Sequence, residues 1–142
     1  RAQISPKKKA AAIGYQAEID TSERKWSGGF YDQGRRKWLN PVRKKNSKPD
    51  DGFKENYLPK WTDEMAAAYK HLEWNKYRIE CRGSDIKIYL NGILTTHVKD
   101  TTDTEGHIGL QHHGSAELKK TGKTINIVKF RKLKITELAK EK

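Results

Sequence analysis

Residues 76–99 read KYRIECRGSDIKIYLNGILTTHVK, and this stretch decides the fold class. Apolar and polar residues alternate on both sides of Gly83-Ser84, which is typical of strands with one buried face. Asn91-Gly92 is the dipeptide preferred in type I′ hairpin turns, because both central residues of that turn need a positive φ. The stretch therefore predicts three consecutive antiparallel strands joined by tight turns.

Shorter alternating segments on either side predict further strands, at residues 1–5, 14–20, 26–33, 107–113 and 125–138. In the last of these the parity of the apolar residues shifts near Arg131, which indicates a β-bulge. Many short antiparallel strands at close spacing are typical of a β-sandwich. The predicted fold class is therefore all-β, an antiparallel β-sandwich.

The middle of the chain differs in composition from these strands. Residues 40–59 lack periodicity and are rich in Lys, Asp, Asn and Pro, which predicts a long loop. Thr62, followed by two acidic residues, predicts the capped start of one short helix near residues 62–72. The expected organisation is a single domain over residues 1–138, with a basic insertion at about 40–73 and a basic tail at 139–142.

The chain is strongly basic, with a formal net charge of +12 over 142 residues and a mean hydropathy of −1.00. Such a charge attracts nucleic acid, acidic glycans, acidic proteins or anionic membrane surfaces. The lysines and arginines are spread over several clusters and no nucleic-acid-binding motif accompanies them, so solvated basic loops are the preferred interpretation and nucleic acid is disfavoured. No apolar stretch approaches the roughly 20 residues of a membrane span.

The aromatic residues and the single cysteine indicate a buried core. Four tryptophans and six tyrosines supply apolar surface, which argues against disorder of the whole chain. Cys81 is the one cysteine, so an internal disulfide and a cysteine-based zinc site are excluded. Because Cys81 shares an apolar strand face with Tyr77 and Ile79, we expect it to be a small core residue.

Two of the predicted strands carry polar side chains along one face. Gln16, Glu18 and Asp20 have the same parity in one strand, and Gln111 and His113 have the same parity in another. A solvated outer face is one interpretation, and the floor of a ligand-binding cleft is the other. Further polar candidates on separate segments are Tyr31, Arg35, Arg36, Trp74, Asn75 and Arg131.

Six segments carry a resemblance to a known family: GYQAEID (14–20), SGGFYD (27–32), EWN (73–75), YLNG (89–92), GHIGLQHHG (106–114) and FRKLKI (130–135). Their order resembles that of the 3-keto-disaccharide hydrolase domain family. The fifth and sixth segments are the most specific. Relative to the family pattern, Gln16 and Glu18 exchange amide and acid, and Lys132 replaces an Asn.

The resemblance implies a bacterial, extracytoplasmic, concanavalin-like jelly roll that acts on glycosides oxidised at C3. A ketone at C3 acidifies the C2 proton, so a base can remove that proton and the C1 substituent can be expelled. The candidate base is Glu18 or His113. The candidates for stabilising the enolate oxygen are Arg131, Arg36 and a bound divalent cation, whose identity and ligands are unknown.

The resemblance also implies a carbohydrate ligand and a set of residues to bind it. The expected substrate-binding residues are Gln16, Asp20, Tyr31, Arg36, Trp74, Asn75 and Gln111. Two other functions stay open: a non-catalytic carbohydrate-binding sandwich, and an interaction subunit of a larger assembly. Since the family domain has further strands before the position of Arg1, we expect a second polypeptide or an N-terminal segment to complete the sandwich.

Overall fold

The computed structural model describes residues 1–5, 11–112, 120–123 and 127–138 of the chain. The chain divides into two compact units, Arg1–Ile108 and Gly109–Lys142. Within its described residues the first unit is almost entirely β, which confirms the predicted class. Its elements in chain order are β1 (Ala2–Ile4), β2 (Ala12–Ala17), β3 (Phe30–Gln33), β4 (Lys37–Asn40), β5 (Phe53–Asn56), α1 (Asp63–Ala67), β6 (Tyr77–Arg82), β7 (Asp85–Leu90) and β8 (Ile93–Asp100).

Two four-stranded antiparallel sheets form the sandwich of the first unit. The first sheet has the strand order β1-β2-β3-β4, and the second has the order β5-β8-β7-β6. Phe30 and Leu39 from the first sheet pack with Ile86, Ile88 and Val98 from the second in one buried cluster. Burial of one such side chain stabilises the folded state by roughly 1.5–3 kcal/mol. The apolar contacts of this cluster therefore hold the two sheets face to face.

Residues 76–99, the stretch that decides the fold class, form β6, β7 and most of β8 in the second sheet. Gly83, with φ +51°, turns the chain between β6 and β7. Asn91 and Gly92 have φ values of 50° and 92° between β7 and β8, as the predicted type I′ turn requires. Ile86 and Ile88 are buried while Lys87 between them is not, so the predicted alternation is confirmed in β7. In β6, by contrast, Ile79 is 53% exposed although it has the parity of Tyr77 and Cys81.

Partly buried side chains extend the core on both sides. Tyr15 packs against the cluster from β2, and its ring centroid lies 5.0 Å from that of Phe30. Tyr77 and Cys81 pack against the cluster from β6. The expectation that Cys81 belongs to the core is therefore confirmed, and its thiol is free.

Helix α1 begins as the sequence predicts. The Oγ1 atom of Thr62 accepts a hydrogen bond from the backbone N–H of Met65 at 3.2 Å, and two acidic residues occupy the first turn. The helix has five residues. In the part of the chain that the structure describes, there is no helix with the length and apolar character needed to cross a membrane.

The loop predicted at 40–59 is wrong in one part, because Phe53–Asn56 forms β5 at the edge of the second sheet. β5 pairs with β8, with Phe53 opposite Asp100 and Asn56 opposite Val98. The residues of β5 do not alternate in polarity, so no local pattern indicates this strand. Its conformation follows from the backbone hydrogen bonds that β8 offers along its free edge.

The strand predicted at 107–113 is wrong over most of its length. His107 exchanges two backbone hydrogen bonds with Ala2, both at 2.9 Å, and this bridge is isolated. Ile108, which the sequence places toward a core, is 74% exposed. Alternating polarity is compatible with a strand but does not by itself supply the partner strand that a β-ladder needs, and the isolated bridge between His107 and Ala2 is the pairing that the structure shows for this segment.

The strand predicted at 125–138 is also wrong where it can be compared. Residues 127–138 contain no strand, and the β-bulge expected near Arg131 is absent with it. The apolar side chains of Leu133 and Ile135 are exposed. Without a paired ladder, the parity of these residues does not turn them toward a buried face.

Candidate functional site

The candidate site lies on the face of the first sheet that points away from the core. Tyr15 and Ala17 pack against the core cluster, so Gln16 between them projects from the opposite face. Tyr31 projects from that same outer face, because its neighbour Phe30 is buried in the core. Gln16 and Tyr31 are direct cross-strand partners. The amide and the phenol therefore stand side by side.

Trp38 extends this pair onto the next strand, since it is the cross-strand partner of Tyr31. The ring centroids of Tyr31 and Trp38 are 5.2 Å apart at 75°, and those of Trp26 and Trp38 are 4.9 Å apart at 74°. Both are the edge-to-face arrangement that aromatic rings prefer. Trp38 is only 5% exposed, so it holds the two more exposed rings in place. We call Gln16, Tyr31 and Trp38 the outer row.

Glu18 continues the pairing of β2 beyond the end of the strand. Its N–H donates to the carbonyl of Gly29 at 3.0 Å, and its carbonyl accepts from the N–H of Gly28 at 2.8 Å and from the hydroxyl of Tyr77 at 3.0 Å. Burial, and next the negative charge of Glu18, raise the pKa of the Tyr31 phenol. The carboxylate of Glu18 therefore acts on the outer row from a firmly held backbone.

Gly28 and Gly29 allow the chain to pass closely between the sheets beside Glu18. Gly28 has φ +85°, and a Cβ there would lie 2.5 Å from Oγ1 of Thr95. A Cβ on Gly29 would lie 3.0 Å from the ring of Trp38. Because neither position has room for a side chain, these two glycines allow the chain to lie where its backbone can pair with Glu18.

Asp20 has the parity of Glu18, yet its carboxylate organises the following turn. Its Oδ1 accepts from the N–H of Ser22 at 3.0 Å, and its Oδ2 accepts from Nε of Arg24 at 3.1 Å. Burial by itself would raise the pKa of Asp20, but the hydrogen bonds from Ser22 and Arg24 outweigh it and hold that pKa below its ordinary value. The guanidinium of Arg24 in turn lies 5.4 Å from the ring centroid of Trp26.

Arg36 belongs to the interior of the sandwich. Its Nε atom donates to Asp32 at 2.5 Å, and its Nη1 atom donates to Asp100 at 2.8 Å and to Asp50 at 2.9 Å. Arg36 is 4% exposed, and Asp32 is fully buried next to Tyr31 in the strand. Successive residues of a strand point to opposite faces, so this ion network lies behind the outer row. The structure does not bring Arg36 to the outer row.

Tyr15 joins this interior network. Its hydroxyl donates to Asp100 and accepts from the backbone N–H of Asp103 at 2.9 Å. Burial, followed by the hydrogen bond to Asp100, raises the pKa of Tyr15 to about 12. The phenol is therefore a neutral donor at ordinary pH.

Trp74 and Asn75 lie between α1 and β6. The side chain of Asn75 accepts from the N–H of Lys70 at 2.8 Å and donates to the carbonyls of Lys70 at 2.7 Å and Glu73 at 3.0 Å. Its amide thus builds the turn that leads into β6. Trp74 is 49% exposed. The substrate-binding roles of both residues stay predictions.

The remaining candidates lie in the second unit. Gln111 and Arg131 are exposed there, and His113 lies outside the described residues. The predicted convergence of Gln111 and His113 with Gln16 and Glu18 stays a prediction. The same holds for the catalytic roles of His113 and Arg131.

Sequence reasoning missed the two tryptophans of the site. Trp38 lies in β4, a strand that was not predicted, and Trp26 lies in the turn before β3. A signal was present in Gly34, which follows β3 and has φ +77°, because a hairpin turn at this glycine places Trp38 opposite Tyr31. Both tryptophans had been expected only to supply buried surface.

A metal centre was left open by the sequence. Within residues 1–5, 11–112, 120–123 and 127–138, no group of three or more His, Cys, Asp or Glu side chains is arranged to hold a metal ion. The divalent cation stays a prediction.

Comparison with known proteins adds one finding. A family model described as a 3-keto-alpha-glucoside-1,2-lyase-like domain matches residues 1–136. No curated protein matches the chain.

Proposed function

Because the chain belongs to the 3-keto-alpha-glucoside-1,2-lyase-like domain family, we propose that it cleaves 3-keto-glycosides by elimination across C1 and C2. Family membership makes it a carbohydrate-active domain, and the bond chemistry is our proposal. A base takes the C2 proton, the electrons of the C2–H bond form a C1–C2 double bond, and the C1–O bond breaks. The leaving group takes up a proton, and later addition of water to the double bond completes a net hydrolysis.

The observation that carries this proposal is the placement of Glu18 beside the outer row. A general base must be held at hydrogen-bond reach of the proton that it removes. The backbone of Glu18 is fixed by Gly28, Gly29 and Tyr77, at 2.8–3.0 Å each. The carboxylate therefore projects from a rigidly held backbone, and we assign it the role of the base.

Tyr31 is assigned the role of hydrogen-bond donor to the developing enolate. Burial and the charge of Glu18 raise the pKa of its phenol, so the hydroxyl keeps its proton at neutral pH. A donor aimed at the oxygen on which negative charge develops lowers the barrier more than one aimed at the ground state. Arg36 is a weaker candidate for this role, because its guanidinium is buried among three carboxylates.

The other side chains of the site orient the sugar. Gln16 stands next to Tyr31 and offers both a donor and an acceptor to hydroxyl groups. Trp26 presents an aromatic surface beside Trp38, which suits the apolar face of a sugar ring. Asp20 acts indirectly, since it holds Arg24 over the Trp26 ring.

The test is hydrogen exchange at C2, measured separately from release of the leaving group. A 3-keto-α-glucoside is incubated with the protein in deuterated water, and both reactions are followed by NMR. We expect the wild type to catalyse exchange and release, and Glu18→Gln to lower both by about 10²–10⁴-fold, the usual contribution of a general base. Tyr31→Phe should slow both exchange and release, because both need the enolate that Tyr31 stabilises, while leaving substrate binding in place.

Glu23→Gln is the matched control, because Glu23 is an exposed carboxylate on the turn that follows Glu18 and Asp20. It should leave both rates unchanged. Equal rates for Glu18→Gln and the wild type would eliminate Glu18 as the base. If Glu23→Gln also lost activity, the loss in Glu18→Gln would reflect a disturbed turn and not the missing carboxylate of Glu18.

A non-catalytic carbohydrate-binding domain is the second candidate, and the aromatic cluster of Trp26, Tyr31 and Trp38 favours it. Stacking on such rings binds sugars without any base. Binding of a glucoside by the wild type, with neither C2 exchange nor release, would support this function over the first. The interaction subunit, the completing polypeptide segment and the extracytoplasmic location stay predictions.

A further inference from the structure

We propose that the second sheet carries a separate site for an anionic sugar, in a pocket of about 260 Å³ lined by Lys76, Arg78, Tyr89 and Gly92. Arg78 and Tyr89 are cross-strand partners in β6 and β7. Their neighbours Tyr77, Ile88 and Leu90 turn to the core side, so the pocket lies on the outer face of the second sheet. The outer row lies on the outer face of the first sheet, which makes this a second site.

Arg78 is held in a defined orientation at this pocket. Its guanidinium lies 3.8 Å from the ring centroid of Tyr89, and its Nη1 atom is 2.6 Å from Oε1 of Glu80. The stacking and the ion pair remove much of the freedom of a long side chain, so less entropy is lost when a ligand binds. Nε and Nη2 form no hydrogen bond within the described residues, and they remain as donors.

Lys76 adds a second positive charge next to Arg78. Its backbone is fixed to the hairpin turn, because its N–H donates to Oδ1 of Asn91 at 2.8 Å and its carbonyl accepts from the N–H of Asn91 at 2.9 Å. No carboxylate in the described part of the chain pairs with its ammonium group. Since Glu80 balances only one of the two cations, the pocket keeps a net positive charge.

The lining indicates the class of ligand. A guanidinium edge matches the paired oxygens of a carboxylate or a phosphate, and the ammonium adds attraction for either. The volume is close to the lower end of small-molecule pockets, roughly 300 Å³, which is more than a bare anion needs. A Cβ on Gly92 would meet nothing within 4 Å, so the rim beside Tyr89 is open for a ring. We therefore assign the site to a hexose unit that carries a carboxylate or phosphate group.

Calorimetric titration of the whole chain with four probes tests this assignment: glucuronate, glucose 6-phosphate, glucose and inorganic phosphate. We expect glucuronate or glucose 6-phosphate to bind about tenfold more tightly than glucose or phosphate, since each of those lacks one half of the ligand. The tighter of the two anionic sugars identifies the source of the negative charge. Inorganic phosphate that binds as tightly as the anionic sugars would overturn the sugar assignment. Glucose that binds as tightly as the anionic sugars would overturn the role of the two cations.

Variants locate the site. Arg78→Gln and Lys76→Gln should each weaken binding of the anionic sugar by about tenfold, the usual loss for one charge-assisted hydrogen bond. Lys54→Gln is the control, because Lys54 is an exposed lysine on β5, at the opposite edge of the same sheet. Glu18→Gln should also leave this binding unchanged, whatever its effect on C2 exchange. Undiminished binding by folded Arg78→Gln and Lys76→Gln proteins would refute the proposal.

Discussion

Replacement of Gly28 by alanine should destabilise the sandwich far more than replacement of a glycine with a similar φ in open space. Gly28 has φ +85°, and its added Cβ would lie 2.5 Å from Oγ1 and 3.0 Å from Cβ of Thr95. Thr95 cannot move away at low cost. It is fully buried, and its hydroxyl donates to the carbonyl of Gly28 at 2.8 Å. Thr96 donates to the same carbonyl at 2.9 Å.

Gly92 is the matched control, with φ +92° and nothing within 4 Å of an added Cβ. A positive φ is unfavourable for alanine by roughly 1 kcal/mol, and this applies to both variants. Overpacking against a rigid neighbour adds roughly 1–3 kcal/mol at Gly28 alone. We therefore expect a loss of about 1 kcal/mol for Gly92→Ala and about 3 kcal/mol for Gly28→Ala. In thermal unfolding, the difference corresponds to a melting temperature lower by roughly 6 °C.

The assay is urea unfolding followed by circular dichroism, with the C2 exchange rate measured on the same samples below the transition. Because the N–H of Gly28 donates to the carbonyl of Glu18, a displaced Gly28 should also slow exchange. Gly92→Ala should leave exchange intact. Equal losses of stability in the two variants would show that the close approach of Gly28 to Thr95 is not a constraint, and the reasoning would be wrong.

Three further predictions concern the interior network and the hairpin turn. Asp100→Asn should cost about 2–3 kcal/mol in urea unfolding, because Arg36 then keeps Asp32 but loses its other buried counter-charge. Asp50→Asn should cost less than about 1 kcal/mol, because Asp50 is 58% exposed, and similar losses for the two variants would count against the network. The pKa of Tyr15 is raised to about 12, so the folded state keeps a proton that the unfolded state loses near pH 10. The free energy of unfolding of the wild type should therefore fall between pH 10 and 12 by on the order of 2 kcal/mol. The stability gap between the wild type and Tyr15→Phe should narrow over that range, and a constant gap would contradict the assignment. Asn91→Ala should lower the free energy of unfolding by more than about 2 kcal/mol in the same assay, since Asn91 has φ 50° and its side chain makes three hydrogen bonds. A loss below about 0.5 kcal/mol would show that these hydrogen bonds contribute little.

Parity along a single strand placed Gln16 and Glu18 on one face, and the structure puts Gln16 next to Tyr31 with the charge of Glu18 acting on the phenol. The roles of these residues toward a substrate stay predictions. Parity could not place Trp38, because the hairpin between β3 and β4 was not recognised. It also could not tell that Arg36 would be enclosed by acidic residues from other parts of the chain.

The sequence by itself determined the hairpins of the second sheet. Turn chemistry and alternation are local properties: Asn91-Gly92 selects its turn through backbone dihedral angles, and Ile86 and Ile88 select a face through a period of two. Both effects act within a few residues, so they can be read without knowing any distant contact.

Only the tertiary structure decided which segments found partners. Phe53–Asn56 became a strand because the edge of β8 was free, although its residues show no pattern. The well-patterned segment at 107–113 formed no strand over its described residues 107–112, where His107 makes an isolated bridge to Ala2. A strand is stable when its backbone groups and apolar face are both satisfied by other parts of the fold, and those partners lie far away in sequence, so no local pattern contains them.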